Sequence, residues 1–549
     1  MRKHLVDVLV GVLILMLSFS MPSAAPNQPP TAQFTLAPAA GIVGTAFAVD
    51  ASRSSDDKTS PSKLKVRWDW ENDGVWDTAL TTVKTATHQY PTEGVRTIAL
   101  QVLDAQNLAG TMTTIVNVEP VLTRFPIAEP SPFGAPELDI AVDPQDPQRL
   151  VVASYTRSTD ETPIVPYPAF YSTDGGASWG WSTGPYFPHP GDPAVEFDAA
   201  GHLFLTTIDQ LLTDGNSKGV KVSRSDDGGR TFSVMPYAMD ASTLFTSPDG
   251  SSGSVCDSSA FFDFPRLACD RGAASPFRNH LYVVALATSL DADNDGVCDS
   301  APAVMVRSRD AGQTWDTGQV LPGIQQIPES IGIGGDGTLY IAAGGYGTPY
   351  CPSGLGIALR RSTDGGGGFL PPTCALASDP SFIPTGVNTA VDPDDPDKVF
   401  IAFSAASNAA GAASHIYLIR STDAGATWSP PVRIDDVLAQ DDADHIKPTL
   451  AVSTTGRLDI AWMDYRFSSP TLLVANNQPG DVYYAYSLDA GATWSPDMRL
   501  SAATAPLMFS PGNDYLTVVS SGSRAHAAYS MDLDGDGLHE AILTTLSFH

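Results

Sequence analysis

Ser421-Thr422-Asp423-Ala424-Gly425-Ala426-Thr427-Trp428 decides the fold, because near-copies of it recur five more times along the chain. They run from Ser172 to Trp179, Ser225 to Phe232, Ser308 to Trp315, Ser362 to Phe369 and Ser487 to Trp494. All fit Ser-x-Asp-x-Gly-x-x-Trp/Phe. Read physically, the stretch is a tight hairpin. Glycine supplies positive φ, and the Ser and Asp oxygens accept backbone N–H groups that the turn leaves unpaired. The aromatic residue closes the gap beside the next sheet. Asp174, Asp227, Asp310, Asp364, Asp423 and Asp489 are therefore read as structural rather than catalytic.

A longer repeat surrounds each hairpin. Strand, turn and second strand recur from Ala141, Glu196, Ala268, Gly332, Ala390, Ala451 and Val518, which makes seven units for six hairpins. Four-stranded units that cannot bury both faces alone predict a β-propeller. Each unit then has an inner strand, a second strand, a variable loop, a third strand, the hairpin and an outer strand. The seventh unit lacks its outer strand, and Val121 to Ile127 is the segment expected to supply it and close the ring. Seven blades is the prediction, and six is the alternative. An antiparallel meander puts the hairpins on one face and the variable loops on the other, so a small site is expected on the loop face.

The hairpin motif resembles the Asp-box, or bacterial neuraminidase repeat, of sialidase-like propellers. That resemblance implies a glycoside hydrolase with three arginines on the substrate carboxylate, a Tyr–Glu nucleophile pair, an Asp acid/base and a Phe/Tyr-Arg-Ile/Leu-Pro motif. Thr123-Arg124-Phe125-Pro126 lacks the leading aromatic residue, and Phe264-Pro265-Arg266-Leu267 has a different order. Two functions follow as expectations: a glycan- or protein-binding module at or outside the cell surface, and a sialidase-like hydrolase of an anionic sugar. A purely structural surface-layer role is a third. For the hydrolase, Arg157 and Arg466 are the candidate clamp, and Asp464 or Glu329 the acid/base. Asp192, Asp444, His445 and Lys447 are further polar groups expected on the loop face.

The remainder of the 549 residues sets the context. Arg2-Lys3, the apolar run Val8 to Phe19 and Pro22-Ser23-Ala24 read as a signal peptide over residues 1–24, too short an apolar run to span a membrane. Residues 25–30 form a linker. Residues 31–119 alternate β-branched and polar residues as an all-β sandwich does, and Trp68-Asp69-Trp70-Glu71-Asn72-Asp73-Gly74 with His88-Gln89-Tyr90 resembles a polycystic-kidney-disease-type (PKD) domain. A proline-rich linker, 120–136, leads into the propeller at 137–549. With 61 acidic residues against 31 Lys and Arg, the net charge of -30 disfavours nucleic acid and anionic membranes as partners.

Acidic residues at calcium-loop spacing occur three times: Asp69 to Asp77, then Asp291, Asp293, Asp295 and Asp299, then Asp532, Asp534, Asp536 and Glu540. Structural calcium is expected at the second and third, while the first belongs to the PKD-like pattern. The shared loop face predicts disulfides Cys256–Cys298 and Cys351–Cys374, with Cys269 free.

Overall fold

The structure is a computed structural model. It describes residues 26–549 apart from 128–136, 155–168, 185–189, 211–216, 241–244, 247–251, 256–261, 288–289, 292–302, 322–323, 325–326, 347, 349, 408–411, 438–442, 468–478, 508–515 and 536–538. The chain divides into two compact units, Met1–Glu119 and Pro120–His549. Secondary structure is almost entirely β, and among the described residues no helix is long and apolar enough to cross a membrane.

In the first unit, Thr35–Ala37, Phe47–Asp50 and Thr85–His88 form one sheet; Ala40–Ile42, Ala109–Glu119, Gly94–Leu103 and Lys65–Asp69 form another. Their inward residues, among them Phe47, Trp68, Tyr90 and Leu100, share one core. Buried Asp69 caps the following turn, accepting the N–H groups of Asp73 and Gly74 at 3.2 and 2.9 Å.

The second unit is a β-propeller. Its described strands sort into seven sheets, each built on an antiparallel run of four, and in the third the short strand Phe245–Thr246 joins parallel to Gly318–Leu321. Sheet one is Asp139–Asp143, Asp146–Ala153, Ala169–Ser172 and Gly180–Trp181; sheet two is Pro190–Phe197, Leu203–Gln210, Ser217–Ser225 and Ser233–Val234. Sheet three is Phe262–Cys269, Leu281–Ala287, Ala303–Ser308 and Gly318–Leu321, and sheet four is Ile331–Ile333, Leu339–Tyr346, Leu355–Ser362 and Thr373–Ala377. Sheet five is Ile383–Val391, Val399–Ala406, His415–Ser421 and Val432–Arg433; sheet six is His445–Val452, Leu458–Asp464, Pro479–Ser487 and Met498–Arg499. Sheet seven is Thr517–Ser521, Arg524–Met531 and Glu540–Ser547, with Val121–Pro126 as its outer strand. That strand pairs antiparallel with Glu540–Ser547, Val121 opposite Ser547 and Pro126 opposite Ile542.

Each pair of neighbouring sheets has its own apolar core. Leu205 and Val151 belong to the core of sheets one and two, Phe204 and Val283 to that of two and three, and Tyr282 and Ile341 to that of three and four. Ile357 with Ile401, Phe400 with Ile460, and Tyr484 with Ala527 continue the series, and Leu543 with Leu150 closes it between sheets seven and one. Because both faces of a sheet are covered, the middle strands are buried almost throughout. All seven residues of Leu458–Asp464 are buried.

Five of the six hairpins share one full set of bonds, and the Ser362 copy, with Gly368 at the Ser/Thr position, lacks the hydroxyl bond from that position. In the Ser421 copy, Ser421 Oγ donates to Asp423 Oδ1 (2.7 Å) and accepts Gly425 N–H (2.9 Å), while Thr427 N and Oγ1 donate to the two Asp423 oxygens (2.8 and 2.6 Å). Two successive residues in each hairpin have positive φ. In three copies the first is an alanine, Ala311, Ala424 or Ala490, where the other three have glycine. The aspartates are all held below the usual carboxylate range. In Asp174 and Asp423 the hydroxyl bond is the largest influence; in Asp227, Asp310, Asp364 and Asp489 burial acts upward, and the hydroxyl and backbone donors outweigh it.

Two outcomes are expected from these hairpins. Ser421→Ala leaves the Gly425 N–H unpaired inside the turn and should cost ~1–3 kcal/mol in urea unfolding. Because the folded pKa values lie below the unfolded value of ~3.9, the hairpins' electrostatic stabilisation is complete above it and is lost as pH falls through the folded values, about 2 for Asp423. Acid titration followed by circular dichroism reads this directly.

Cys351 and Cys374 form a disulfide, and Cys269 is free and buried. The expected Cys256–Cys298 pair lies outside the described residues, as does the signal peptide.

Candidate functional site

In a ring of sheets the inner strand of each sheet is an edge, with a row of N–H and C=O groups unpaired. The sequence meets this with one column of residues. When the inner strands are aligned on the residue that opens their turn, Asp143, Asp198, Asp270, Gly334, Asp392, Ser453 and Ser521, the position four earlier reads Asp139, Ala194, Arg266, Ser330, Asn388, Thr449 and Thr517. Six of the seven bond the backbone of the next inner strand or of the residues that lead into it. Asp139 accepts Val195 N–H (2.8 Å), Arg266 donates to Glu329 O (3.0 Å), and Ser330 accepts Thr389 N–H (2.6 Å). Asn388 accepts Leu450 N–H (3.2 Å), Thr449 accepts Val518 N–H (3.2 Å), and Thr517 donates to Leu138 O (3.3 Å). The exception is Ala194, between sheets two and three.

Acidic residues replace the missing staple there. The inner strands begin with a bulge, visible as a register shift between Gly191 and Ala194, Asp263 and Arg266, Thr385 and Asn388, and Ile446 and Thr449. Glu137, Asp192, Phe264, Gly386 and Lys447 occupy equivalent places with φ of 53, 47, 50, 59 and 54°. Holding a non-glycine residue there costs ~1–3 kcal/mol, and such positions gather at functional sites. Glu137 accepts Asp192 N–H (2.8 Å), and Asp192 accepts Phe264 N–H (3.1 Å). Phe264 N–H also donates to Asp263 Oδ1 (3.1 Å). Burial first, and then the neighbouring Asp192 carboxylate, push the Asp263 carboxyl up to about 7.

Beside them, Arg266 Nη2 and Lys447 Nζ each lie 2.9 Å from a Glu329 oxygen. Burial acts upward on Glu329, but Lys447 and Arg266 together outweigh it and keep the carboxyl ionised. Lys447, on sheet six, reaches past sheet five to join Glu329 ahead of sheet four. It crosses Gly386, where an added Cβ would stand 3.6 Å from the Lys447 Cα. All these groups lie where inner strands begin, at the end of the ring from which the second-to-third-strand loops rise.

The sequence candidates divide. Glu329 is at this mouth. Asp464 and Arg466 sit farther out on sheet six and are bound to each other. Asp464 is buried and accepts His445 Nδ1–H (2.8 Å), Trp462 Nε1–H (2.9 Å) and Arg466 Nη2–H (2.7 Å). His445 and Arg466 hold its carboxyl at about 2 against the upward effect of burial, which is the largest single influence. Arg466 also reaches Asp497 at 2.7 Å and lies over the Tyr483 ring at 3.9 Å. This pair is a lock between strands rather than an acid/base with a clamp, because its charges are already matched. Arg157 lies outside the described residues. Arg124 serves the ring closure, donating to the carbonyls of Arg499 and Leu500. Asp263 was missed, and the alignment column with its single alanine was the signal that could have found it.

Among the acidic loops, the oxygens of Asp69, Glu71 and Asp77 come within 4.8 Å of one another. Asp532 accepts Gly535 N–H (2.7 Å) and Glu540 accepts Leu533 N–H (2.9 Å). Asp536, Asp293, Asp295 and Asp299 lie outside the described residues, and nothing is described of the Asp291 side chain. A second His/Asp group, His415, Asp435 and His445, lies at the seam of sheets five and six.

No family model matches this sequence. The chain is 27% identical over 322 residues to xyloglucanase Xgh74A of Acetivibrio thermocellus, covering 56% of this chain and 34% of that protein. It is 26% identical over 295 residues to a xyloglucanase of Paenibacillus sp, covering 53% and 26%. The chain thus spans about a third or less of these relatives. Among solved structures, the NanB sialidase of Streptococcus pneumoniae superposes with TM-score 0.40 at 10% identity, covering 95% of this chain and 93% of that one. An α-L-arabinanase of Penicillium chrysogenum gives TM-score 0.40 at 13% identity, covering 66% and 94%.

Proposed function

We propose that this is an exported, carbohydrate-directed propeller that takes a neutral polysaccharide of the xyloglucan class at the mouth of its ring. The feature that carries the reading is the Asp263 carboxyl, pushed up to about 7 by burial and by Asp192 at the one unstapled seam, beside a Glu329 kept ionised. A carboxyl poised near neutrality is a general acid, and glycoside cleavage needs one such acid opposite an ionised carboxylate. Partial similarity to two xyloglucanases supports the substrate class. A neutral sugar fits the arginines: Arg266 and Arg466 are both engaged by carboxylates, which leaves neither as a ready clamp for an anionic sugar. A binding module without turnover is the second reading, favoured because both Glu329 oxygens already accept bonds. Export by residues 1–24 and calcium in the 291–299 and 532–540 loops belong to the same proposal; N-terminal sequencing and melting with and without chelator test them.

The deciding assay offers the chain xyloglucan, other neutral β-glucans, arabinan and a fluorogenic sialoside. Turnover of a neutral glucan should be lost as pH rises above about 7, where Asp263 gives up its proton. Asp263→Asn should lower it ~10²- to 10⁴-fold with binding retained. Arg466→Ala should lower stability rather than selectively abolish sialoside cleavage. Unchanged turnover in Asp263→Asn removes the acid assignment; saturable binding without turnover leaves the binding module; sialoside cleavage with no response to neutral glycans overturns the substrate class.

A further inference from the structure

The seam of sheets five and six carries a group that the glycan reading does not use. His415 begins the third strand of sheet five, Asp435 follows its outer strand, and His445 begins the inner strand of sheet six. One donor atom from each lies within 4.8 Å of the others. His415 Nδ1 is 3.3 Å from Asp435 Oδ1, the edge of a tetrahedron whose metal–ligand bonds are ~2.0–2.1 Å. His445 is completely buried, and its Nε2 has no hydrogen-bond partner. Its Nδ1 is 2.8 Å from Asp464, itself fixed by Trp462 and Arg466. A carboxylate on the far nitrogen sets the tautomer, so that Nε2 presents a lone pair, as in metal-bound histidines. A buried nitrogen left bare is costly unless something meets it.

We propose that His415, Asp435 and His445 form a site for one zinc-class divalent ion that ties sheet five to sheet six, with Arg433 as its competitor. Two imidazoles and one carboxylate suit zinc, and disfavour calcium, which takes oxygen ligands. Arg433 Nη2 stands 3.0 Å from His415 Nδ1 and 2.5 Å from Asp435 Oδ1, and so engages two of the three donors. Its side chain is 26% exposed, and besides Asp435 it donates to the Val437 carbonyl at 3.0 Å, bonds that metal entry would have to break. Metal entry is therefore an exchange of one cation for another, and removing the arginine must favour the metal.

The test is zinc titration of the untagged chain by calorimetry, with thermal melting and the visible spectrum of the cobalt-loaded protein as further readouts. One zinc per chain is expected, competed by cobalt and not by calcium, with a raised melting temperature. Arg433→Met should bind at least tenfold more tightly. His445→Ala should abolish binding, and His415→Ala, a less buried position where folding should survive, should weaken it at least a hundredfold. Absence of one-to-one binding in both the native chain and Arg433→Met overturns the site. So does affinity unmoved by both histidine variants.

Discussion

Deletion of residues 121–127 with the sandwich left in place is expected to abolish cooperative unfolding of the propeller. The strand contributes a six-residue ladder to Glu540–Ser547, continued by Ile127 N–H to Ala541 O at 3.0 Å. It also feeds two separate cores, Leu122 that of sheets six and seven, and Phe125 with Ile127 that of sheets seven and one. Arg124 bonds Leu500, 376 residues along the chain. Burial of Ile127 is worth ~1.5–3 kcal/mol, half-buried Leu122 and Phe125 about 1 kcal/mol each, and the ladder's hydrogen bonds ~0.5–1 kcal/mol apiece. The sum, on the order of 5–10 kcal/mol, matches the entire stability of a typical domain. The deleted chain should show a broad melt and rapid proteolysis within Arg524–Ser547, and a synthetic 121–127 peptide should partly restore the transition. A sharp, unshifted melt would show that the strand is dispensable. Phe125→Ala supplies the graded version, expected at ~1–2 kcal/mol because the ring is half-buried.

Asp459→Ala is the single substitution expected to damage the ring most. Arg457 and Asp459 form a bidentate pair at 2.8 and 3.0 Å, both side chains buried. Tyr484 and Ser520 also donate to Asp459. Arg457 reaches the carbonyls of Gly522 and Arg524 on sheet seven and lies 3.7 Å over the Phe548 ring. Loss of the carboxylate leaves a buried guanidinium without its counter-charge and two hydroxyls without their acceptor, which costs ~3–5 kcal/mol. Urea unfolding measures it. The double variant Arg457→Leu with Asp459→Leu should be less destabilised than Asp459→Ala, because it removes both charges together. A loss below 1 kcal/mol in Asp459→Ala would show that water reaches the guanidinium.

Local chemistry was legible before the structure, and non-local placement was not. The Ser-x-Asp-x-Gly stretches encode their hairpins in neighbouring atoms, so their bonds could be read directly. The longer repeat and the unit without an outer strand pointed to Val121–Ile127, which does pair with Glu540–Ser547. The positive φ of Ala311, Ala424 and Ala490 was not legible, because alanine does not announce a left-handed conformation. Nor was the commitment of Asp464 to Arg466, His445 and Trp462, which depends on adjacent strands meeting in one register. The bond from Phe264 N–H to Asp192 joins two sheets, and no spacing within either strand reports it.

The seven cores, one at each seam, carry a consequence for how the molecule fails. In an open stack of repeats, the terminal units have one neighbour, fray first and need polar caps. A cycle has no terminal unit, so no sheet in this propeller is obliged to wear a polar cap. Breaking any one seam turns the cycle into an open array and creates two uncapped ends at once. Damage at a single position is thereby spread to the whole circumference, and a molecule assembled from small repeats is expected to come apart as one body.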